Sequence, residues 1–376
     1  MLASFGHAEA TVDEVLAYCA NPFDLTKAAG VRFPLDDEPH VADWRRYQSE
    51  GGAGLFDYLQ QRVPQFAIPI ADGISSSEAY GNVIRKGRAF READFPGRLR
   101  LEAPSALELQ IHEHPMGALP VLIAGTRGDF ETLSRALGNR HEPMPVNPSV
   151  NAAMITGLVN WDRVNKYRAE WSAKLDPFTA DNTWPDEMGR VAKATPGLFF
   201  DRLILVTRAP YGGRSAGELG IEMDDAAWQS ASTALRIEHE FAHYATKRIY
   251  GTMRLNLLGE LIADAMGMTH ALGSFRARWF LGALGLGQWP ALPETARAHT
   301  YRSNLSDEGM RLACDVCGRA ATALEQMPAP GPGVASRARY LIALSALTLD
   351  VLATADARPA FDEAWTWAGT VTGPDA

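Results

Sequence analysis

Leu235 to Met268 reads LRIEHEFAHYATKRIYGTMRLNLLGELIADAMGM, and the reading of the whole chain starts there. From Asp224 to Tyr250 there is neither proline nor glycine. Trp228, Ala231, Leu235, Phe241, Ala242, Ala245 and Ile249 recur near a 3.6-residue period, which predicts an amphipathic helix. Asp224 or Asp225 can cap its start, because a short carboxylate accepts hydrogen bonds from first-turn amides. Gly251 is a suitable stop. A second helical pattern runs from about Arg254 to His270.

Within this stretch His239-Glu240-Phe241-Ala242-His243 forms an HExxH pattern. Residues four apart share one helix face, so the two imidazoles can meet one ion. Glu240 swings to the side, where it can hold a water on the metal. Glu260, seventeen positions after His243, is the expected third ligand. Two histidines, a carboxylate and an exchangeable water make a catalytic zinc site. Zinc brings the pKa of its water towards ~7, and Glu240 can take the proton. Asp264 follows Glu260 by one turn. It is placed to receive the remaining N–H of a ligand histidine and fix its tautomer. The plain alternative is a solvated helix face with two surface histidines. The apolar setting and the second helix, with Glu and Asp four apart, argue against that.

The HExxH and ExxxD pair resembles the gluzincin group of zinc metallopeptidases, the thermolysin-like enzymes among them. The resemblance implies His239, His243 and Glu260 as metal ligands, Glu240 as general base and Asp264 as the carboxylate orienting the first histidine. Ala263-Asp264-Ala265-Met266-Gly267 is similar to the end of that family's second helix. The group also places donors beside the reacting carbonyl, where negative charge develops. On that resemblance His299 is the downstream candidate and Tyr250 the candidate between the ligand helices. The resemblance covers about 35 residues, so it speaks to the site far more than to the substrate.

Composition bounds the function classes. The chain has 376 residues and a net charge of −9, which disfavours a large phosphate-backbone surface. The basic run Arg85 to Arg100 is interrupted by Glu92 and Asp94 and reads as a solvated face rather than a nucleic-acid patch. The start, MLASFGHAEATVDEVLAY, shows no basic or apolar leader region, and no apolar run reaches membrane-spanning length. Three cysteines cannot build a disulfide framework. A cytoplasmic protein with no nucleic-acid or membrane partner is expected; the oligomeric state is not legible. Cys314 and Cys317 form a CxxC on a helical segment, where core packing is the simpler reading. His112-Glu113-His114 has strand-like spacing and reads as two exposed histidines more readily than as a second metal site.

Helices are expected near Val12–Cys19, Gly54–Val63, Ser77–Arg88, Asp129–Leu137, Asp162–Leu175, Ser274–Leu284, Ser306–Met327, Ala335–Ala353 and Phe361–Ala368. Strands are expected at Leu99–His112, Leu119–Ala124 and Phe199–Thr207, and a short strand or extended piece at Phe66–Ile70. Pro143–Trp161 is extended, and an ordinary buried strand with polar ends is the plainer reading; in a zincin-like fold such an edge strand would hold substrate by main-chain bonds. Tyr211-Gly212-Gly213-Arg214-Ser215 reads as a loop bordering the site or as a plain connection.

Strands before Thr207 and helices after Asp224 give an α+β class, zincin-like in outline. The expected division is a mixed region over 1–220 and a helical region over 221–376, with the metal in the cleft between them. The expected function is a zinc-dependent hydrolase acting on a peptide or amide carbonyl. A zinc-dependent small-molecule biosynthetic enzyme, a hydro-lyase or deacylase, is the alternative. The partner is then a peptide or a small-molecule substrate.

Overall fold

Four short strands and a larger set of helices make an α+β protein in a computed structural model that describes residues 8–175 and 183–372. The chain divides into two compact units. One comprises residues 37–113 and 117–208; the other comprises 1–36, 114–116 and 209–376. The expected boundary at 220 thus moves to 208. Residues 8–36, assigned from sequence to the mixed region, group with the helical one.

The first unit holds the sheet: β1 (Glu108–His112), β2 (Leu119–Ala124), β3 (Ala152–Val159) and β4 (Phe200–Thr207). Their order is β1-β2-β4-β3. β2 pairs antiparallel with β1 and parallel with β4, with Val121 opposite Ile204. All six residues of β2 are buried, as expected of a central strand covered on both faces. β3 is an edge strand, antiparallel to β4, with a bulge at Gly157. The core joins Leu122, Leu203 and Leu205 to Trp44, Tyr47, Leu59 and Phe130 from the flanking helices. One buried carboxylate, Asp201, is matched by three donors: Trp44 Nε1 and Asn160 Nδ2, each at 2.8 Å, and the Arg163 guanidinium.

Sequence and structure differ here in instructive places. Leu99–His112 is a strand only from Glu108, because Pro104 has no amide hydrogen to give and opens a 3₁₀ turn, Pro104–Ala106. Phe66–Ile70 is not a strand; Pro64 starts a 3₁₀ turn through Phe66. Ser77–Arg88 is one helical turn followed by a π-helical turn over Gly81–Arg85. Helices over His40–Gly51 and Trp184–Ala194 were not expected.

The second unit is helical. Its centre is the pair Asp225–Tyr250 and Leu257–Leu272. Asp224 caps the first helix by accepting from Ala227 N at 2.7 Å, and Gly251, at φ 76°, ends it. Asn256 caps the second through Gly259 N at 2.9 Å. The two helices meet closely at Gly267, where a Cβ would stand 2.6 Å from the Leu235 carbonyl oxygen. Around them pack Glu9–Cys19, Asp307–Glu325, Val334–Ser345 and Ala357–Thr372. The expected single helix Ala335–Ala353 breaks after Ser345 and resumes over Leu349–Leu352. Cys19, Cys314 and Cys317 are free and buried. Burial pushes the thiols of Cys19 and Cys314 up to about 12, so they are protonated packing groups. Among the described residues no helix is long and apolar enough to cross a membrane.

Candidate metal centre

His239, His243 and Glu260 converge, and one ligand atom from each lies within 4.8 Å of the others. The convergence follows from the two helices. His239 and His243 share a face of the first; Glu260, in the first turn of the second, is brought against that face by the close approach at Gly267. His239 Nε2 and His243 Nε2 are 3.2 Å apart. Glu260 Oε1 lies 3.3 Å from His243 Nε2, and Oε2 lies 3.6 Å from His239 Nε2. Ligands at ~2.0–2.1 Å around a tetrahedral zinc are separated by about 3.3 Å, so this spacing suits the ion.

Asp264 fixes the first histidine. Its Oδ1 is 2.8 Å from His239 Nδ1, which leaves Nε2 as the atom turned to the cluster. Burial disfavours charge on His239, but the carboxylates of Asp264 and Glu260 outweigh it and raise its pKa to about 9. Burial raises Glu260, yet the bond to His243 and the nearby cations hold it at about 2. Opposite charges thus face one another across the metal-free cluster, the His239 imidazolium against the Asp264 and Glu260 carboxylates.

Three further residues support the centre, and only the segments carrying them were legible. Tyr211 donates to Asp264 Oδ2 at 2.5 Å. Tyr301 donates to Glu260 Oε2 at 2.9 Å, and Arg297 reaches the same oxygen at 3.4 Å and the Tyr301 hydroxyl at 2.6 Å. Tyr211 belongs to the loop whose sequence fits either a border of the site or a plain connection. Arg297 and Tyr301 flank the position chosen from sequence, His299. They lie four apart on the 3₁₀ turn Arg297–Tyr301 and face Glu260, whereas His299, midway between them, places Nε2 3.1 Å from the Pro293 carbonyl oxygen. Tyr250 is buried against Phe23, ring centroids 5.0 Å apart, with its hydroxyl beside Ser345. The expected donor roles of His299 and Tyr250 thus find no contact to the cluster.

Glu240 is half-buried beside the ligands, and among the described residues its carboxylate forms no hydrogen bond or ion pair. Two positions earlier, Glu238 is fully buried on another face and is matched by Arg337 and by His114, whose Nε2 is 3.4 Å away. His114 is thus a buried residue, stacked on Phe241 at 4.5 Å, not an exposed strand histidine. β1 ends at His112, and the two histidines of that motif fall in different units. Every residue of the metal centre lies in the helical unit, so the cluster is built within one unit rather than from both.

These features define an α+β protein carrying a three-residue cluster able to hold a metal ion. The chain belongs to a family of unknown function, DUF7005, whose family model matches residues 1–356. No curated protein and no solved structure matches it.

Proposed function

We propose that this protein is a zinc-dependent hydrolase of the metallopeptidase-like kind, zincin-like in its helical unit, acting on a peptide or amide carbonyl. The observation that carries the reading is the pairing of zinc-like ligand spacing with an uncommitted carboxylate one residue from the first ligand. His239, His243 and Glu260 would hold the ion. Bound there, zinc would acidify water and polarise a carbonyl oxygen. Glu240 accepts the proton from the attacking water and returns it to the departing amine nitrogen. Asp264 and Tyr211 keep His239 in the tautomer that presents Nε2. Tyr301 and Arg297 hold the Glu260 carboxylate in place.

The test is elemental analysis of the purified chain, followed by mass-spectrometric screening of peptides and small acyl amides. One zinc per chain and cleavage by the parent chain are expected. Glu240→Gln should keep the zinc and lose turnover. A variant that retains full activity removes Glu240 from the mechanism, and a chain that binds no zinc ends the proposal.

A further inference from the structure

The sheet-bearing unit contains a pocket of about 230 Å³ that the metal chemistry does not use. Among its twelve lining residues are two arginines, Arg85 and Arg140, and no acid. Its other polar walls are Gln65, Tyr80 and Thr156. Arg85 begins the basic run that reads from sequence as a solvated face. In the structure it ends the π-helical turn Gly81–Arg85, and its guanidinium folds back over Gly81. A Cβ at Gly81 would stand 2.5 Å from Arg85 Nη2, so glycine makes room for that placement. Among the described residues neither arginine forms an ion pair. The carboxylate that senses Arg140, Glu142, is held by the amides of Gly73 and Ser75, both at 2.9 Å.

Gln65, another of the lining residues, contributes an acceptor. Gln65 Nε2 donates to the Val159 carbonyl at 2.9 Å, which fixes the amide orientation. Its Oε1 is buried and has no hydrogen-bond partner. A buried acceptor left unmatched is rare and points to a donor that completes it. The backbone beside Arg140 is held by specific contacts. Arg140 and His141 both adopt positive φ, 53° and 65°, a conformation that side-chain-bearing residues seldom keep unless their surroundings enforce it. Here the buried His141 ring does so: Nε2 lies 2.8 Å from the Gln65 carbonyl oxygen, and the ring packs edge-on against Tyr80 at 5.6 Å. Arg140 sits beside the Tyr80 hydroxyl.

We propose that this pocket binds a small hydroxylated oxyanion. The phosphate or carboxylate lies between Arg85 and Arg140, and a ligand hydroxyl donates to Gln65 Oε1. Guanidinium groups suit either oxyanion because their N–H pairs match its oxygens. The volume falls below the usual range for drug-sized ligands, which limits the occupant to a small metabolite-like molecule. This inference is independent of the metal centre.

Isothermal titration of the full chain with glycerol 3-phosphate and with glycerate separates the two oxyanion sources. Methyl phosphate and propionate serve as partners lacking the hydroxyl. Saturable binding of at least one hydroxylated anion at millimolar concentration or below is expected, tighter than its partner. Arg85→Gln and Arg140→Gln, both at exposed positions, should each weaken it about tenfold with an unchanged thermal midpoint. Gln65→Met should erase the preference for the hydroxylated ligand while sparing the unhydroxylated one. No saturable binding by either hydroxylated anion overturns the proposal, as does unaltered affinity in both arginine variants. Equal affinity for hydroxylated and unhydroxylated partners overturns the role of Gln65.

Discussion

His239 has to satisfy two partners with two ring nitrogens, and its acid–base behaviour follows. With a pKa raised to about 9, the metal-free ring carries two protons at neutral pH, and the one on Nε2 must leave before a cation can bind. Zinc affinity should therefore climb about tenfold per pH unit between pH 6 and 8 and level off near 9, as competition titration with a chromogenic chelator would show. The same shifts set the stability of metal-stripped protein. The His239 contribution is complete below its unfolded value and is lost as pH rises through about 9. The Glu260 contribution is complete above its unfolded value and is lost as pH falls through about 2. Urea titrations across pH should thus give metal-stripped protein its highest stability between about 4.5 and 6.5; a midpoint that rises steadily to pH 9 would contradict this. Replacing Asp264 by Asn keeps an acceptor for Nδ1–H and removes the charge. Zinc affinity should drop ~10–100-fold by the same chelator titration.

The two ligand helices approach closely at Gly267. Gly267→Ala would drive a methyl group towards the Leu235 carbonyl oxygen, 2.6 Å away, and push the helices apart. A loss of about 1–3 kcal/mol is expected, read as a lower thermal midpoint together with weaker zinc binding, since Glu260 rides on the displaced helix. Much of this pair was legible in the sequence. An uninterrupted 3.6-residue period with a capping Asp224 and a stopping Gly251 defines the first helix, and the HExxH spacing needs only that helix to bring its histidines together. What lies off the pair was less legible. His299 draws the eye as a histidine, but the turn it sits on faces Arg297 and Tyr301 to Glu260, and the direction of a 3₁₀ turn is set by packing rather than by local pattern. The Tyr211 contact with Asp264 spans 53 positions and leaves no periodic trace. The helix His40–Gly51 carries Trp44 and Tyr47 among several charges, so its narrow apolar stripe gives only a weak helical period.

At the scale of the molecule, the centre and the pocket occupy different units. An ion that binds only the folded helical unit stabilises it by mass action, by about 2.7 kcal/mol at a hundredfold excess over Kd. Hydrogen exchange with and without zinc should show added protection over residues 225–272 and little over the strands between 108 and 207. Equal protection across both would mean that the ion acts on the chain as a whole. All three cysteines also fall in the helical unit, and the sheet-bearing unit has none. A thiol-alkylating reagent should consequently ignore the native protein and mark each molecule only when its helical unit opens. The wild-type sequence thus carries its own unfolding clock, and a metal-dependent slowing of that clock would report occupancy of the centre without an assay for turnover.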